Sequence, residues 1–166
     1  MRFTPRSVQV SLACALVVGF IMLSSAPELY AQADSTLGTW RLNLAKSKYN
    51  PGPPPMSETR IYEPFGAGGV KTTFNRLDGA GKKVTISYSA LYDGKDYKFI
   101  GSPDSDTISL KRIDANTIEA TQKKGGKVSL MTRAVVSADG RVRTLTTTGT
   151  DAQGQKVSNV VVFDKQ

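Results

Sequence analysis

Between residues 78 and 154 the chain carries six turn signals at short intervals: Asp78-Gly79, Asp93-Gly94, Asp114-Ala115-Asn116, Gly125-Gly126, Ala138-Asp139-Gly140 and Asp151-Ala152-Gln153-Gly154. The runs between them are short and rich in Val, Ile, Thr, Tyr and Phe. Asp-Gly and Gly-Gly pairs supply the positive φ values that tight hairpin loops require, so consecutive runs pair as antiparallel neighbours. Together with earlier segments this predicts ten strands, near residues 37–43, 57–64, 70–77, 83–91, 95–100, 106–113, 117–123, 127–137, 141–149 and 157–164. A twisted meander of that length closes on itself more readily than it stays open, because closure removes exposed edges. The expected class is all-β, a single antiparallel up-and-down β-barrel with an interior.

The first 33 residues do not fit this pattern. Arg2 and Arg6 precede an apolar stretch from Val10 to Leu23, followed by Pro27 and the small-residue patterns Leu29-Tyr30-Ala31 and Ala31-Gln32-Ala33. This is the three-part layout of a secretory signal peptide over residues 1–33, cleaved after Ala31 or Ala33, with a retained N-terminal anchor as the alternative. The apolar stretch is shorter than the roughly 20 residues a spanning helix needs, so no stable membrane span is expected once it is removed. Residues 34–166 then form one exported domain, periplasmic or extracellular. The segment 43–56 packs four prolines into positions 51–55 and reads as an extended crossover rather than a helix.

Missing residue types exclude much chemistry. The chain has no histidine and its one cysteine, Cys14, falls in the apolar stretch. Ser-His-Asp and Cys-His nucleophiles and the usual zinc sites are therefore impossible. Asp104-Ser105-Asp106 begins like a calcium loop, but Thr107, Ile108 and Ser109 supply neither the glycine nor further ligands, so these aspartates read as turn caps. No enzyme activity, metal or cofactor is expected. The net charge of +8 favours anionic surfaces or ligands in general. The basic turns at Lys82-Lys83 and Lys123–Lys127 lack an aromatic stacking platform, so no nucleic acid is expected.

Hairpin register assigns faces. A two-residue loop at Asp93-Gly94 sets Ala90 opposite Tyr97 and Tyr88 opposite Phe99, placing Ile86, Tyr88, Tyr97 and Phe99 on one, inward, face. The same rule at Gly125-Gly126 groups Ile118, Ala120, Gln122, Ser129, Met131 and Arg133 against Glu119, Thr121, Lys123, Val128, Leu130 and Thr132. The pattern alone leaves open which group faces in. Val160–Phe163 is apolar on both faces, so its outer side meets another segment or a second copy, and the oligomeric state stays open.

Gly38-Thr39-Trp40-Arg41-Leu42, Ala45-Lys46-Ser47, ten strands and the ending Val160–Lys165 together resemble the calycin group, which includes lipocalins and fatty-acid-binding proteins. The chain is most similar to secreted bacterial lipocalin-like domains. The resemblance implies that Trp40 plugs one end of the barrel and that Gly38 and Trp40 are structural. It also implies an interior arginine about seven residues after a hairpin glycine, which turns Arg133 inward. The Arg-x-Tyr clamp of fatty-acid-binding proteins falls on Val161 and Phe163 and is absent, and a mouth framed by Tyr49 and the prolines replaces their helical lid. The expected function is an exported binding protein that shelters a small apolar or amphipathic molecule, including one with an anionic end. Ile86, Tyr88, Tyr97, Phe99, Met131, Val161 and Phe163 would line the cavity, with Arg133 at its polar end. The alternative is a ligand-free envelope barrel filled by its own side chains, with a structural or interaction role.

Overall fold

Short extended segments that alternate polar and apolar residues, each ended by a glycine or aspartate turn, have one way to satisfy all their backbone groups: pairing with both neighbours. The computed structural model, which describes Met1 and residues 34–166, shows this pairing. The expected signal peptide and Cys14 lie outside the described residues. Ten strands form one antiparallel sheet: β1 (Gly38–Leu42), β2 (Ser57–Phe65), β3 (Gly69–Leu77), β4 (Lys83–Ala90), β5 (Tyr97–Lys98), β6 (Thr107–Arg112), β7 (Thr117–Lys124), β8 (Lys127–Val136), β9 (Val142–Thr150) and β10 (Lys156–Lys165). Their order is β4-β3-β2-β1-β10-β9-β8-β7-β6-β5, so the last strand returns to the first and the meander wraps into a nearly closed barrel. A single 3-10 turn, Leu44–Lys46, starts the proline-rich crossover.

Closure between β4 and β5 is the weak seam. Ser87 and Ile100 form an isolated bridge, with Ser87 N donating to Ile100 O at 3.0 Å and Ile100 N to Ser87 O at 2.9 Å. This bridge has the register expected from the Asp93-Gly94 turn, but the ladder does not continue toward that turn. Asp93 instead bridges Lys111, and Gly94 N donates to Leu110 O at 3.0 Å. The Asp93 side chain also accepts from Lys95 N and from the Tyr97 hydroxyl, both at 3.0 Å. The loop is thereby tied to β6 rather than to β4, and β5 shrinks to two residues.

The β7–β8 hairpin departs from its expected register in an instructive way. Lys124 pairs with Lys127 and Lys123 with Val128, as a two-residue loop dictates, but Gln122 then pairs with Leu130 and Ser129 is left over. This is a β-bulge, and one extra residue exchanges the faces of everything beyond it. A buried polar knot holds it: Ser105, 1% exposed, donates to Gln122 Oε1 at 3.0 Å, and its hydroxyl meets that of Ser129 at 2.9 Å. Leu130, Thr132, Ala134 and Val136 consequently face the interior, and Met131, Arg133 and Val135 face solvent. The expected inward placement of Met131 and Arg133 is therefore corrected: Met131 is 54% exposed, and Arg133 donates to Glu119 at 2.8 Å on the outer surface.

Gly149 on β9 accommodates the bulge. It pairs with Leu130, its φ is +146°, and a Cβ there would lie 2.1 Å from Ser129 O. Both the backbone conformation and the close approach demand glycine. Gly149→Ala is expected to lower unfolding free energy by about 2 kcal/mol or more in urea titrations. Arg133→Ala, which removes only an exposed pair, should cost no more than about 1 kcal/mol.

Candidate functional site

Inward residues of neighbouring strands form cross-strand rows, and the rows of β2, β3 and β4 build one wall of the interior. From the mouth inward these are Glu58–Arg76–Val84, Arg60–Phe74–Ile86 and Tyr62–Thr72–Tyr88. Beyond β1 the inward residues of β10 are Val161 and Phe163, whose β9 partners are Leu145 and Arg143. The space between these walls is a cavity of about 370 Å³, within the range of small-molecule sites. Its apolar lining includes Phe74, Ile86, Phe99, Ile108, Leu130 and Val161. Phe74, Tyr88 and Phe99 pack edge to face, with ring centroids 5.6–6.1 Å apart and interplanar angles of 76–84°. Such packing fixes rigid aromatic edges around the hollow.

The residues expected to frame a mouth, Tyr49 and the prolines, line the cavity. Tyr49, Pro51, Pro53 and Pro55 line the outer part of the cavity together with Asp104 and Asp151. Burial, with the nearby Glu58 charge, pushes the Tyr49 phenol up to about 12, so it stays a neutral hydrogen-bonding group at this rim. Asp104 accepts from Ala152 N at 3.0 Å and Asp106 from Gly125 N at 2.8 Å, consistent with turn caps.

The opposite end is closed. Trp40 is fully buried and its indole N–H donates to Thr36 O at 3.2 Å, while Gly38 enters β1 with φ +113°. Asp34 accepts from Thr36 Oγ1 at 2.6 Å and pairs with Arg112, whose guanidinium lies 4.3 Å from the Tyr92 ring centroid. Burial raises the Asp34 carboxyl, but hydrogen bonds from Thr36 and the Arg112 charge outweigh it and hold the group below its ordinary range.

Two ionic features inside the barrel went unread in the sequence. In the first, Glu58, 2% exposed, is gripped by Arg60 Nε and by Arg76 Nε at 2.6 Å. The Arg60 guanidinium also lies 4.3 Å from the Phe74 ring centroid and 4.7 Å from that of Phe163. Burial drives the Glu58 carboxyl up, yet the two guanidinium groups overcome this and keep it below the usual carboxylate range. The second is Arg143, 4% exposed, which donates from Nη1 to Thr36 O at 3.2 Å and sits 4.0 Å from the Tyr62 ring centroid. Among the described residues, these two features set three guanidinium groups, one of them half-exposed, against one carboxylate.

Of the residues expected to line the cavity, Ile86, Tyr88, Phe99 and Val161 do so. Phe163 is fully buried beneath the wall, under Arg60, and does not reach the hollow. Tyr97 packs half-buried against the core, and its hydroxyl is committed to Asp93 rather than to the cavity. Met131 and Arg133 are outside, for the bulge reason above. Arg143 was accessible to sequence reasoning: with Val161 and Phe163 inward, the β9–β10 register puts their partners Leu145 and Arg143 inward as well. Glu58 and Arg60 carried no such signal, since a strand with charged residues on its inward side looks like a solvent face.

No protein-family model matches the chain, and no curated protein matches it. Among solved structures it is similar to zebrafish ileal bile acid-binding protein, crystallised with cholic acid. The identity is 14% and the TM-score 0.47, with 80% of this chain and 99% of that one covered. The chain's own fold is a ten-stranded, nearly closed antiparallel up-and-down barrel.

The Glu58 grip sets an acid-sensitive contribution to stability. Its folded-state carboxyl is depressed, so the contribution is complete above the unfolded-state value of about 4.3 and disappears as pH falls through the lower, folded-state value. Glu58→Gln leaves the Arg60 guanidinium, largely buried, and the half-buried Arg76 without their counterion and should cost about 3 kcal/mol in urea denaturation at pH 7. The gap between variant and wild type should narrow as pH drops below about 4.

Proposed function

We propose that this protein is an exported lipocalin-like carrier that shelters a small apolar or amphipathic molecule inside its barrel. The observation that carries the reading is the cavity of about 370 Å³ reaching from the proline-lined mouth to the aromatic cage of Phe74, Tyr88 and Phe99. Empty volume in a core costs on the order of 24 cal/mol per Å³, so a hollow of this size forfeits several kcal/mol that a filled interior would retain. A sequence that keeps Ala120, Thr132 and Ala134 on the inner walls, where larger side chains would close the space, gives up that stability for room. This favours a carrier over the ligand-free, filled barrel. A molecule entering through the mouth would exchange water for contact with apolar walls, worth roughly 25 cal/mol per Å² of apolar surface covered.

The export part of the proposal rests on the charged, apolar and small-residue succession of residues 1–33. N-terminal sequencing of protein recovered from outside the cytoplasm of an exporting host should begin at Gln32 or Asp34; a chain still beginning at Met1 would refute it.

For the carrier itself, native mass spectrometry of protein purified from that host should show a noncovalent small-molecule adduct that organic extraction releases for identification. Ala120→Trp, which plants a large ring in the hollow, should abolish uptake of the neutral dye N-phenyl-1-naphthylamine while cooperative urea unfolding persists. A wild-type protein that arrives empty and leaves this dye non-fluorescent would contradict the carrier and favour the filled barrel.

A further inference from the structure

The outer face of β7–β10 sets exposed apolar side chains among threonines. Met131 and Val135 on β8 and Val160 on β10 all stand out from it into solvent. Their neighbours across the ladder are short: Met131 pairs with Thr121 and Thr148, Val135 with Thr117 and Thr144, and Val160 with Thr146. Exposed apolar groups gathered on one face mark an interaction surface. At its centre is an ion pair, Glu119 and Arg133, which lie directly opposite each other on β7 and β8 with their charged groups 2.8 Å apart and about half exposed. The charge of the whole chain narrows what can cover this face. At +8, two copies repel wherever basic turns such as Lys82-Lys83 and Lys123–Lys127 meet, whereas here Glu119 offsets Arg133 and the outward residues of β9 beside it are threonines.

We propose that this face joins two copies of the chain about a twofold axis lying in the interface, parallel to the strands and between β7 and β8. Such an axis lays β8 of one copy over β7 of the other. Each Arg133 then meets the partner's Glu119, each Met131 the partner's Thr121 and each Val135 the partner's Thr117, because those residues are register partners within one chain. Every large side chain lands on a short one, and both charges keep a counterion. Bulk and charge that mirror each other across a single line between two strands make the surface its own complement, which identifies a second copy as the occupant. Lys111, which flanks Glu119 on β6, falls toward the rim and stays in reach of water. Sheets stacked face to face in this way keep their strands aligned within about 30°. The convex barrel wall confines contact to the central strands, so the dimer belongs with the small, reversible interfaces below about 1,200 Å². No cavity-lining residue takes part, so the pairing holds whether the interior is hollow or filled.

Sedimentation velocity of protein purified from the exporting host, run from roughly 1 to 500 μM, should show a reversible monomer–dimer equilibrium with a Kd on the order of 100 μM or tighter. Arg133→Glu and Glu119→Arg each set like charges face to face across the axis and should weaken the dimer about tenfold or more. The double variant Glu119→Arg/Arg133→Glu restores opposite charges at both contacts and should bring the Kd back within about threefold of wild type. Met131→Lys carries the test independently of the ion pair, replacing an apolar tip at the centre of the contact with a charge, and it too should yield monomer. Glu63→Lys, which breaks the similarly exposed Lys71–Glu63 pair between β2 and β3, should leave association unchanged. All these positions are exposed, so cooperative urea unfolding should persist in every variant. A wild type that stays monomeric over the whole range, a dimer that survives both single reversals, or a double variant as monomeric as the single ones would overturn the twofold pairing.

Discussion

The structure depends on the continuity of one antiparallel hydrogen-bond ladder that runs from β4 through β1 and β10 to β5. Because side chains alternate strictly across a pleated strand, the ladder's register decides which half of each strand faces the interior. One residue of slip anywhere would exchange the cavity wall for the outer surface over the rest of a hairpin. The molecule contains such a slip, at Ser129, fixed by the Ser105–Gln122–Ser129 hydrogen bonds and made possible by Gly149 on the next strand. The bulge is what turns Leu130, Thr132 and Ala134 toward the hollow and sends Arg133 to pair with Glu119 in solvent.

Charge inside the barrel is distributed unevenly. Near the mouth, Glu58 cancels one of the two guanidinium groups that hold it, at the cost of removing a carboxylate from water. At the closed end, among the described residues, no ion pair reaches Arg143, which donates to the Thr36 carbonyl and lies against the Tyr62 and Trp40 rings. The two ends of the interior thus differ in electrostatic character: an ion-paired triad at one, and at the other a cation held by a carbonyl and aromatic faces. Between them the walls are apolar and aromatic.

Much of the fold was legible in the sequence, because glycine and aspartate turns fix strand ends and the β-branched runs between them admit few other structures. Nine of the ten predicted strands appear within about one residue of their expected bounds; β5 is cut short by about two residues at each end because Asp93 spends its hydrogen bonds on its own loop and on β6. The site was legible only where a tight turn transmitted register without interruption. Ile86, Tyr88 and Phe99 were placed correctly from Asp93-Gly94, even though most of the expected ladder is missing, since the one bridge that forms at Ser87 and Ile100 keeps its register. Arg133 was misplaced because a bulge leaves no mark in a strand whose two faces are both mixed. Glu58 and Arg60 were invisible for the opposite reason: polarity patterns assume that charge faces water, and here it faces the cavity.

The central claim is that alternate residues of these strands enclose a space that admits an apolar molecule. Methyl-labelled NMR during addition of N-phenyl-1-naphthylamine tests it most directly, since inward and outward methyls report separately. The account predicts that Ile86, Ile108, Ile118, Leu130 and Leu145 shift and show contacts to the dye, while Val128, Val135 and Val160 on the outer face do not. Shifts confined to the outer methyls, or no contact with the inner ones at saturating dye, would contradict it.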